Sequence, residues 1–262
     1  MSRLPLTFGC GTLRLAATLD TAPGTAGLLI VSGGNEIRSG AFGGQAELAA
    51  RIARAGFPVF RFDRRGVGDS EGENRGFRRS LKDIAAAIEA FRAIAPQIER
   101  VVAFGNCDAA SALMLAQGDL CDALVLSNPW TIEDDAGKLP PAAVRARYLE
   151  KLTNPRELIR LATGKISPAK LASGLRQALS RAPAPSSLAE EMARGLDASG
   201  KPYVILLAAN DRTAQVFETQ WPYDLAAETQ GEVRRCEGAS HAYVEPYARD
   251  WLEQQILAML RG

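Results

Sequence analysis

Histidine is almost absent from this sequence: His241 is the only one in 262 residues. A catalytic site that needs an imidazole base therefore has a single candidate for that role. A lone histidine is more often a loop or core residue than a catalyst. The functional interpretation of His241 depends on two other segments, residues 101–111 and 203–213, in which an apolar run ends in polar side chains.

Cysteine is also scarce, and its spacing argues against two classes of site. The four cysteines include no C-x-x-C pair, and none has a histidine partner at zinc-binding spacing. We therefore expect no metal, no other cofactor and no disulfide framework. Free thiols are typical of proteins in the reducing cytosol, which is the compartment we expect.

Long hydrophobic runs and an excess of charge of either sign are missing as well. The longest apolar runs are far shorter than a membrane span, and the N-terminus has no basic-then-apolar signal pattern. The chain has 31 basic and 30 acidic side chains. Its net charge is therefore too small to attract nucleic acid or an anionic membrane. We expect a cytoplasmic protein with a small-molecule partner, no nucleic-acid partner and no membrane span. No motif specifies an oligomeric state.

What the sequence does contain is a regular alternation of strand and helix patterns. Strands are predicted at residues 4–8, 12–19, 27–32, 58–62, 100–104, 123–127, 203–209 and 232–236, and helices at 41–55, 80–95, 108–117 and 247–260. The first two strands flank Gly9-Cys-Gly and predict an antiparallel hairpin. The alternation that follows predicts an α/β fold with a mostly parallel central sheet flanked by helices.

Residues 129–199 interrupt this alternation. They hold no credible core strand, and repeated prolines separate short amphipathic pieces such as 142–152 and 169–179. Long insertions in compact domains are usually lids or binding elements, so we expect a helical lid between two parts of one core, residues 1–128 and 200–262. A disordered linker is the alternative, and the repeated Leu/Ala periodicity disfavours it. The apolar composition of the lid favours an apolar acyl or alkyl portion in the substrate.

Two positions are candidates for a nucleophile. Gly68-Asp-Ser-Glu-Gly72 matches G-x-S-x-G, but Ser70 lies eight residues after the end of its strand, whereas a nucleophile elbow connects a strand directly to a helix. We interpret Ser70 as a surface loop residue. Cys107 meets the requirement, because a predicted strand leads straight into its turn and a predicted helix follows directly.

Cys107 has small neighbours at Gly105 and Ala109, as an elbow requires where the helix and strand backbones approach closely. A thiolate is a strong nucleophile, and a helix N-terminus lowers the pKa of a thiol. The alternative is a buried structural cysteine at a strand–helix junction. An acyl intermediate on Cys107 would be a thioester, which passes its acyl group to amines and thiols as well as to water.

An oxyanion hole requires two N–H donors directed at the developing negative charge. The residue after the nucleophile supplies one, the backbone N–H of Asp108. The other is expected from the loop after strand 27–32, where Gly34 or Asn35 is the candidate, since glycine lets the backbone approach a substrate closely. The Gly-Gly pair is equally consistent with a simple turn.

An acid that orients the histidine is expected after a late strand. Asp211 follows strand 203–209 and precedes His241, with one strand between them. The alternative role of Asp211 is to cap the helix that follows it. Residues 133–135, Glu-Asp-Asp, are a rival acidic group. Asp211 is favoured because its loop is short and tied to a strand end.

Together these residues resemble the α/β-hydrolase superfamily over essentially the whole chain. The order nucleophile, acid, histidine is that of the superfamily, and residues 63–70 resemble its D-x-R-G-x-G-x-S loop. The combination of residues 33–36, 61–72 and 107–111 is similar to the exosortase A system-associated hydrolase 1 branch. That branch is found beside exopolysaccharide and protein-sorting genes in Gram-negative bacteria.

The sequence departs from the superfamily pattern at two points. The usual His-Gly of the oxyanion loop is Ser32-Gly33, and the usual serine nucleophile is Cys107. Cysteine nucleophiles also occur in the dienelactone hydrolase group, but its Gly-x-Cys-x-Gly-Gly pattern is not matched here. The resemblance therefore implies ester or thioester hydrolysis without specifying a substrate.

The sequence thus predicts a hydrolase that cleaves a carboxylic ester or thioester through an acyl-cysteine intermediate on a Cys107–His241–Asp211 triad. Asp211 orients the imidazole of His241, which takes the proton from Cys107 and later activates water. Two alternatives stay open. One is an acyltransferase with the same triad and a different acceptor. The other is a catalytically silent hydrolase-fold binding protein, which the cysteine and the missing oxyanion histidine favour.

Overall fold

One eight-stranded sheet organises the part of the chain that the structure describes. The structure, a computed structural model, describes residues 2–116, 120–132, 186–223 and 231–262. The spatial order of the strands is β1-β2-β4-β3-β5-β6-β7-β8. Their bounds are Arg3–Cys10 (β1), Leu13–Asp20 (β2), Ala26–Val31 (β3), Val59–Phe62 (β4), Arg100–Asn106 (β5), Ala123–Ser127 (β6), Tyr203–Ala208 (β7) and Gly231–Cys236 (β8).

The sheet is antiparallel at one edge and parallel elsewhere. Strand β2 pairs antiparallel with β1 and with β4, whereas all pairs from β4 through β8 are parallel. The opening hairpin is longer than predicted, because β1 continues through Cys10 and the turn lies at Gly11, whose φ of 61° suits glycine. The predicted α/β class and the mostly parallel sheet are confirmed.

Helices cover both faces of the sheet. The described residues contain the α-helices Gly44–Arg54 (α1), Leu81–Ile94 (α2), Asp108–Leu115 (α3), Ser187–Ser199 (α4), Arg212–Gln220 (α5) and Pro246–Arg261 (α6). Side chains of β3 alternate between two hydrophobic clusters, with Leu29 and Val31 in one and Leu28 and Ile30 in the other. Helices α2 to α5 contribute to the first cluster, and α1 and α6 contribute to the second.

The parallel strands bring their carboxyl ends to one edge of the sheet. Strands β3, β5, β6 and β7 are buried along almost their whole length, which accounts for their unbroken apolar sequences. The loops after β3, β5, β7 and β8 carry Gly34, Cys107, Asp211 and His241 respectively. Ligands of open α/β sheets bind at this edge, so the topology gathers the predicted site residues where a site is expected.

Most of the predicted lid lies outside the described residues. Helix α4 is the part of segment 129–199 that the structure describes as helical, and it packs against α3. The predicted pieces 142–152 and 169–179 fall within residues 133–185, which are not described. Among the helices that are described, none combines the length and the hydrophobicity needed to cross a bilayer.

Candidate active site

Cys107 occupies a sharp turn between β5 and α3. Its backbone has a φ of 61° and a ψ of −128°, values that non-glycine residues rarely adopt. The Cys107 N–H donates to Ser127 O at 3.0 Å, and the Ser111 N–H donates to Cys107 O at 3.3 Å. These bonds hold a strained turn of the kind that is common at functional sites. The half-buried thiol lies at the N-terminus of α3.

The close approach of α3 to β5 leaves no room for a side chain at Gly105. A Cβ there would lie 2.7 Å from Ala109 C and 2.8 Å from Ala110 N, both backbone atoms. Gly105→Ala is expected to lower the free energy of unfolding by about 1–3 kcal/mol, the usual cost of overpacking. Urea denaturation measures this loss, with Gly44→Ala as the control because a Cβ at Gly44 meets open space. Equal stabilities of the two variants would contradict the tight junction.

Asp211 both caps a helix and contacts the histidine. Its Oδ2 accepts the Ala214 N–H at 3.0 Å, which caps the N-terminus of α5. The same Oδ2 lies 2.9 Å from His241 Nδ1, although it is displaced from the direction of the ring N–H. The Asp211 side chain is 8 % exposed and that of His241 is 37 % exposed. The two roles considered for Asp211 are therefore compatible.

The His241 imidazole contacts both of its predicted partners. The Cys107 side chain lies near enough to the imidazole to shift its pKa, and Nε2 is the ring nitrogen that does not face Asp211. The contacts with Asp211 and then with Cys107 raise the pKa of His241 from 6.5 to about 10, against the opposing effect of burial. Both contacts therefore favour the protonated imidazole, which is the form that His241 has after it accepts a proton from a thiol.

Two asparagines hold the His241 backbone beside the nucleophile turn. Asn106 Nδ2 donates to His241 O at 3.2 Å, and Asn128 Nδ2 lies 3.3 Å from the same oxygen and 3.0 Å from Asn106 Oδ1. Asn128 Oδ1 accepts the Ala208 N–H at 2.8 Å. Asn128 is fully buried with a φ of 43°, a conformation that asparagine tolerates. Neither asparagine is among the site residues predicted from the sequence. Their position directly at the ends of β5 and β6 is the signal that identifies them.

Of the predicted oxyanion residues, Gly34 and Asp108 meet beside the nucleophile turn. The Asp108 N–H heads α3, where backbone donors lack intrahelical partners. The Gly34 N–H points into the site, but it donates to the Asp108 carboxylate, with 2.6 Å between Gly34 N and Asp108 Oδ1. Arg64 Nη2 donates to Gly34 O at 2.5 Å and, over 3.4 Å, to both Asp108 oxygens, with which it forms an ion pair. Asn35 Oδ1 accepts a hydrogen bond from Asn74 Nδ2 at 2.8 Å. The roles of Arg64 and of the Asp108 side chain were not anticipated from the sequence.

A cleft of about 690 Å³ opens over Cys107. Its lining combines apolar side chains with charged ones. Its lining residues are Gly34, Arg75, Gly76, Phe77, Arg78, Cys107, Asp108, Trp130, Ile132 and Leu188. Arg78 Nη1 forms a 2.6 Å ion pair with Glu191 Oε2, and Arg75 Nε lies 3.9 Å from Glu73 Oε2. The cleft can accept an acyl group of moderate size.

The remaining sequence candidates are not part of this cluster. Ser70 Oγ donates to Asp63 O at 2.6 Å and accepts the Ala16 N–H at 2.9 Å, so the hydroxyl ties its loop to β2. The rival acids at 133–135 lie outside the described residues. Within the described ranges, no group of three or more His, Cys, Asp or Glu side chains is arranged to hold a metal ion.

Comparison with known protein families gives one match in sequence. The sequence profile of the "Alpha/beta hydrolase family" matches residues 28–254. No protein among those with curated functions matches the chain in sequence.

Solved structures with the same fold are numerous, and three illustrate the likeness. An alpha/beta hydrolase from Penicillium sp. has a TM-score of 0.67 and 19% identity, covering 100% of this chain and 98% of its own. An esterase from Pyrococcus furiosus has a TM-score of 0.65 and 14% identity, covering 99% of this chain and 90% of its own. Dienelactone hydrolase from Anabaena variabilis has a TM-score of 0.62 and 13% identity, and the match covers 97% of this chain and 94% of that protein. At these identities the likeness is one of fold.

Proposed function

The chain belongs to the alpha/beta hydrolase family, and from this premise we propose that it hydrolyses a carboxylic ester or thioester through an acyl-cysteine intermediate. The observation that carries the proposal is the contact of the only histidine with Cys107 on one side and with Asp211 on the other. Cys107 lies on the strained strand–helix turn that this chemistry uses. The esterase and the dienelactone hydrolase among the similar structures support ester chemistry.

The first half of the proposed reaction is acylation of Cys107. The thiol proton passes to His241 Nε2, and the sulfur attacks the acyl carbon to form a C–S bond. The carbonyl π electrons move to oxygen, where the Asp108 N–H and a Gly34 or Asn35 N–H stabilise the negative charge. When the tetrahedral intermediate collapses, the bond to the leaving group breaks and His241 returns the proton to that alkoxide or thiolate.

The second half is hydrolysis of the thioester. His241 accepts a proton from water while the water oxygen attacks the acyl carbon, and a second oxyanion forms in the same place. Its collapse breaks the C–S bond, releases the carboxylic acid and returns the thiol. Asp211 keeps the imidazole oriented and stabilises its positive charge in both halves.

Acyl transfer is the second candidate function, and the thioester itself favours it. Thioesters react with amines and thiols as well as with water, so an acceptor in the cleft above Cys107 would intercept the intermediate. The machinery is otherwise unchanged. The alternative of a silent binding protein is supported by the hydrogen bond between the Gly34 N–H and the Asp108 carboxylate.

Several wider assignments belong to the same proposal. The residues at 33–36, 61–72 and 107–111 support membership of the exosortase A system-associated hydrolase 1 branch. Segment 129–199 is proposed as a helical lid between core parts 1–128 and 200–262. The protein is proposed to act in the cytoplasm on a small-molecule acyl ester or thioester.

The decisive experiment is intact-mass measurement after brief exposure to a short p-nitrophenyl ester. We expect one acyl adduct, absent from Cys107→Ala and retained in Cys121→Ala. The control is matched because burial raises the pKa of the Cys121 thiol to about 12, which makes it unreactive at neutral pH. An adduct that persists in Cys107→Ala would contradict the proposed nucleophile.

The fate of the adduct separates the candidate functions. Decay in buffer at the rate of turnover supports hydrolysis. Decay that requires an added amine or thiol supports acyl transfer. Absence of both adduct and turnover, with Cys107 alkylated by iodoacetamide like an ordinary thiol, supports a binding protein.

A further inference from the structure

The Asp108 carboxylate is bonded to one of the N–H groups proposed to bind the acyl oxygen. Its Oδ1 accepts the Gly34 N–H, with a donor–acceptor distance of 2.6 Å. The loop that carries Gly34 packs directly on the nucleophile turn, since a Cβ at Gly33 would lie 3.1 Å from Asp108 Oδ1 and 3.5 Å from Cys107 Cβ. The carboxylate thus occupies one of the candidate oxyanion donors, beside the nucleophile turn.

A second partner for this carboxylate is already in place. The Arg64 guanidinium is buried, and its Nη1 donates to Ser80 Oγ at 3.1 Å while Nη2 donates to Gly34 O at 2.5 Å. Nη2 also donates long hydrogen bonds of 3.4 Å to both Asp108 oxygens, which makes Arg64 and Asp108 an ion pair. A small rotation of the Asp108 side chain away from Gly34 would shorten these charge-assisted bonds and free the Gly34 amide.

We propose that Asp108 is a specificity-determining residue of this site. Its carboxylate closes the oxyanion hole in the free protein, and only an acyl group that displaces it toward Arg64 is processed efficiently. A small ester makes few contacts in the cleft and displaces the Asp108 carboxylate poorly. A longer acyl chain makes more contacts, and their binding energy favours the displacement. The inference rests on the proposed acyl chemistry at Cys107.

The reaction of Cys107 with two kinds of probe tests the proposal. A trifluoromethyl ketone adds to the thiol and places an oxyanion in the hole, whereas iodoacetamide alkylates the thiol without forming an oxyanion. Asp108→Ala keeps the backbone N–H and removes the carboxylate. We expect it to lower Ki for a short trifluoromethyl ketone about 10-fold, the scale of one hydrogen bond to a charged group. Alkylation forms no oxyanion, so its rate constant for the thiolate form, obtained from the pH dependence of the rate, should change much less than Ki.

Two further variants and one substrate series make the test specific. Asp108→Asn retains an acceptor without charge, so its Ki should fall between those of wild type and Asp108→Ala. Arg64→Gln removes the guanidinium that binds both Asp108 and Gly34 O, so it should raise Ki in both backgrounds and by a larger factor when Asp108 is present. The gain in kcat/KM from Asp108→Ala should be largest for p-nitrophenyl acetate and smallest for long-chain esters.

The outcomes distinguish this inference from the proposed function. An unchanged or raised Ki for Asp108→Ala, with alkylation intact, overturns the role of Asp108 and leaves the Cys107 chemistry standing. A trifluoromethyl ketone that binds Cys107→Ala as tightly as wild type overturns the acyl chemistry instead. Circular dichroism of each variant verifies that the fold is retained.

Discussion

Replacing His241 with glutamine is expected to lower kcat for a p-nitrophenyl ester by about 10³- to 10⁵-fold. The chain contains no other imidazole, so no neighbour can substitute as the base. Both halves of the proposed reaction pass a proton through this ring, and glutamine preserves size without a titratable nitrogen. Steady-state turnover over the range from about pH 6 to about pH 10 measures the effect.

A control and a rescue make the His241 result interpretable. Val244→Ala changes an exposed side chain in the same segment and should retain turnover close to that of the wild type. The His241 side chain is 37 % exposed, so imidazole from solution can reach the space that His241→Ala creates. Partial recovery with added imidazole is therefore expected. Turnover of His241→Gln within about tenfold of wild type would show that the base lies elsewhere.

Asp211→Asn is the prediction with the second-largest effect, a fall in kcat of about 10²- to 10⁴-fold with little change in stability. Asparagine caps helices as well as aspartate does, so the bond from the Ala214 N–H to the side chain at 211 should survive. What disappears is the charge beside His241 Nδ1. Thermal unfolding and turnover of the same preparation separate the two roles.

Because the chain has one histidine, proton NMR can measure the effect of the Asp211 charge on its pKa. The imidazole Cε1–H resonance reports the pKa of His241. This pKa should fall from about 10 toward 6.5 in Asp211→Asn, because the largest cause of the raised value is removed. A raised pKa stabilises the folded protein fully below about pH 6.5 and less as the pH rises toward 10. The pH dependence of the unfolding free energy should therefore flatten in the variant. Equal pKa values in both proteins would exclude the ion pair as its cause.

Local patterns were sufficient to predict the sheet and the strand-end candidates. Strand β6 was predicted to the residue, since its apolar run has sharp polar limits. Cys107 and Asp211 were found because each directly follows a buried strand. The predicted helix 41–55 begins only at Gly44, because positive φ values at Phe42 and Gly43 give the preceding residues a different conformation.

The contacts that complete the site were beyond these patterns. Asn106 and Asn128 reach the His241 carbonyl across 135 and 113 residues of chain. The bond between the Gly34 N–H and Asp108 spans 74 residues. Periodicity reports which face of an element is buried, but it does not report which side chains from separate loops meet at the edge of the sheet.

The candidate base and the candidate nucleophile rest on parts of the sheet with different exposure. The loop of His241 follows β8, the edge strand of the sheet, in which only the last residue is buried. Cys107 directly follows β5, a buried strand in the centre of the sheet. Strands at the edge of a sheet unfold locally at a lower free-energy cost than strands at its centre. Mild heating that frays β8 would therefore separate imidazole from thiol while the core stays intact. Such inactivation should reverse on cooling, because only the pairing of β8 with β7 has to form again.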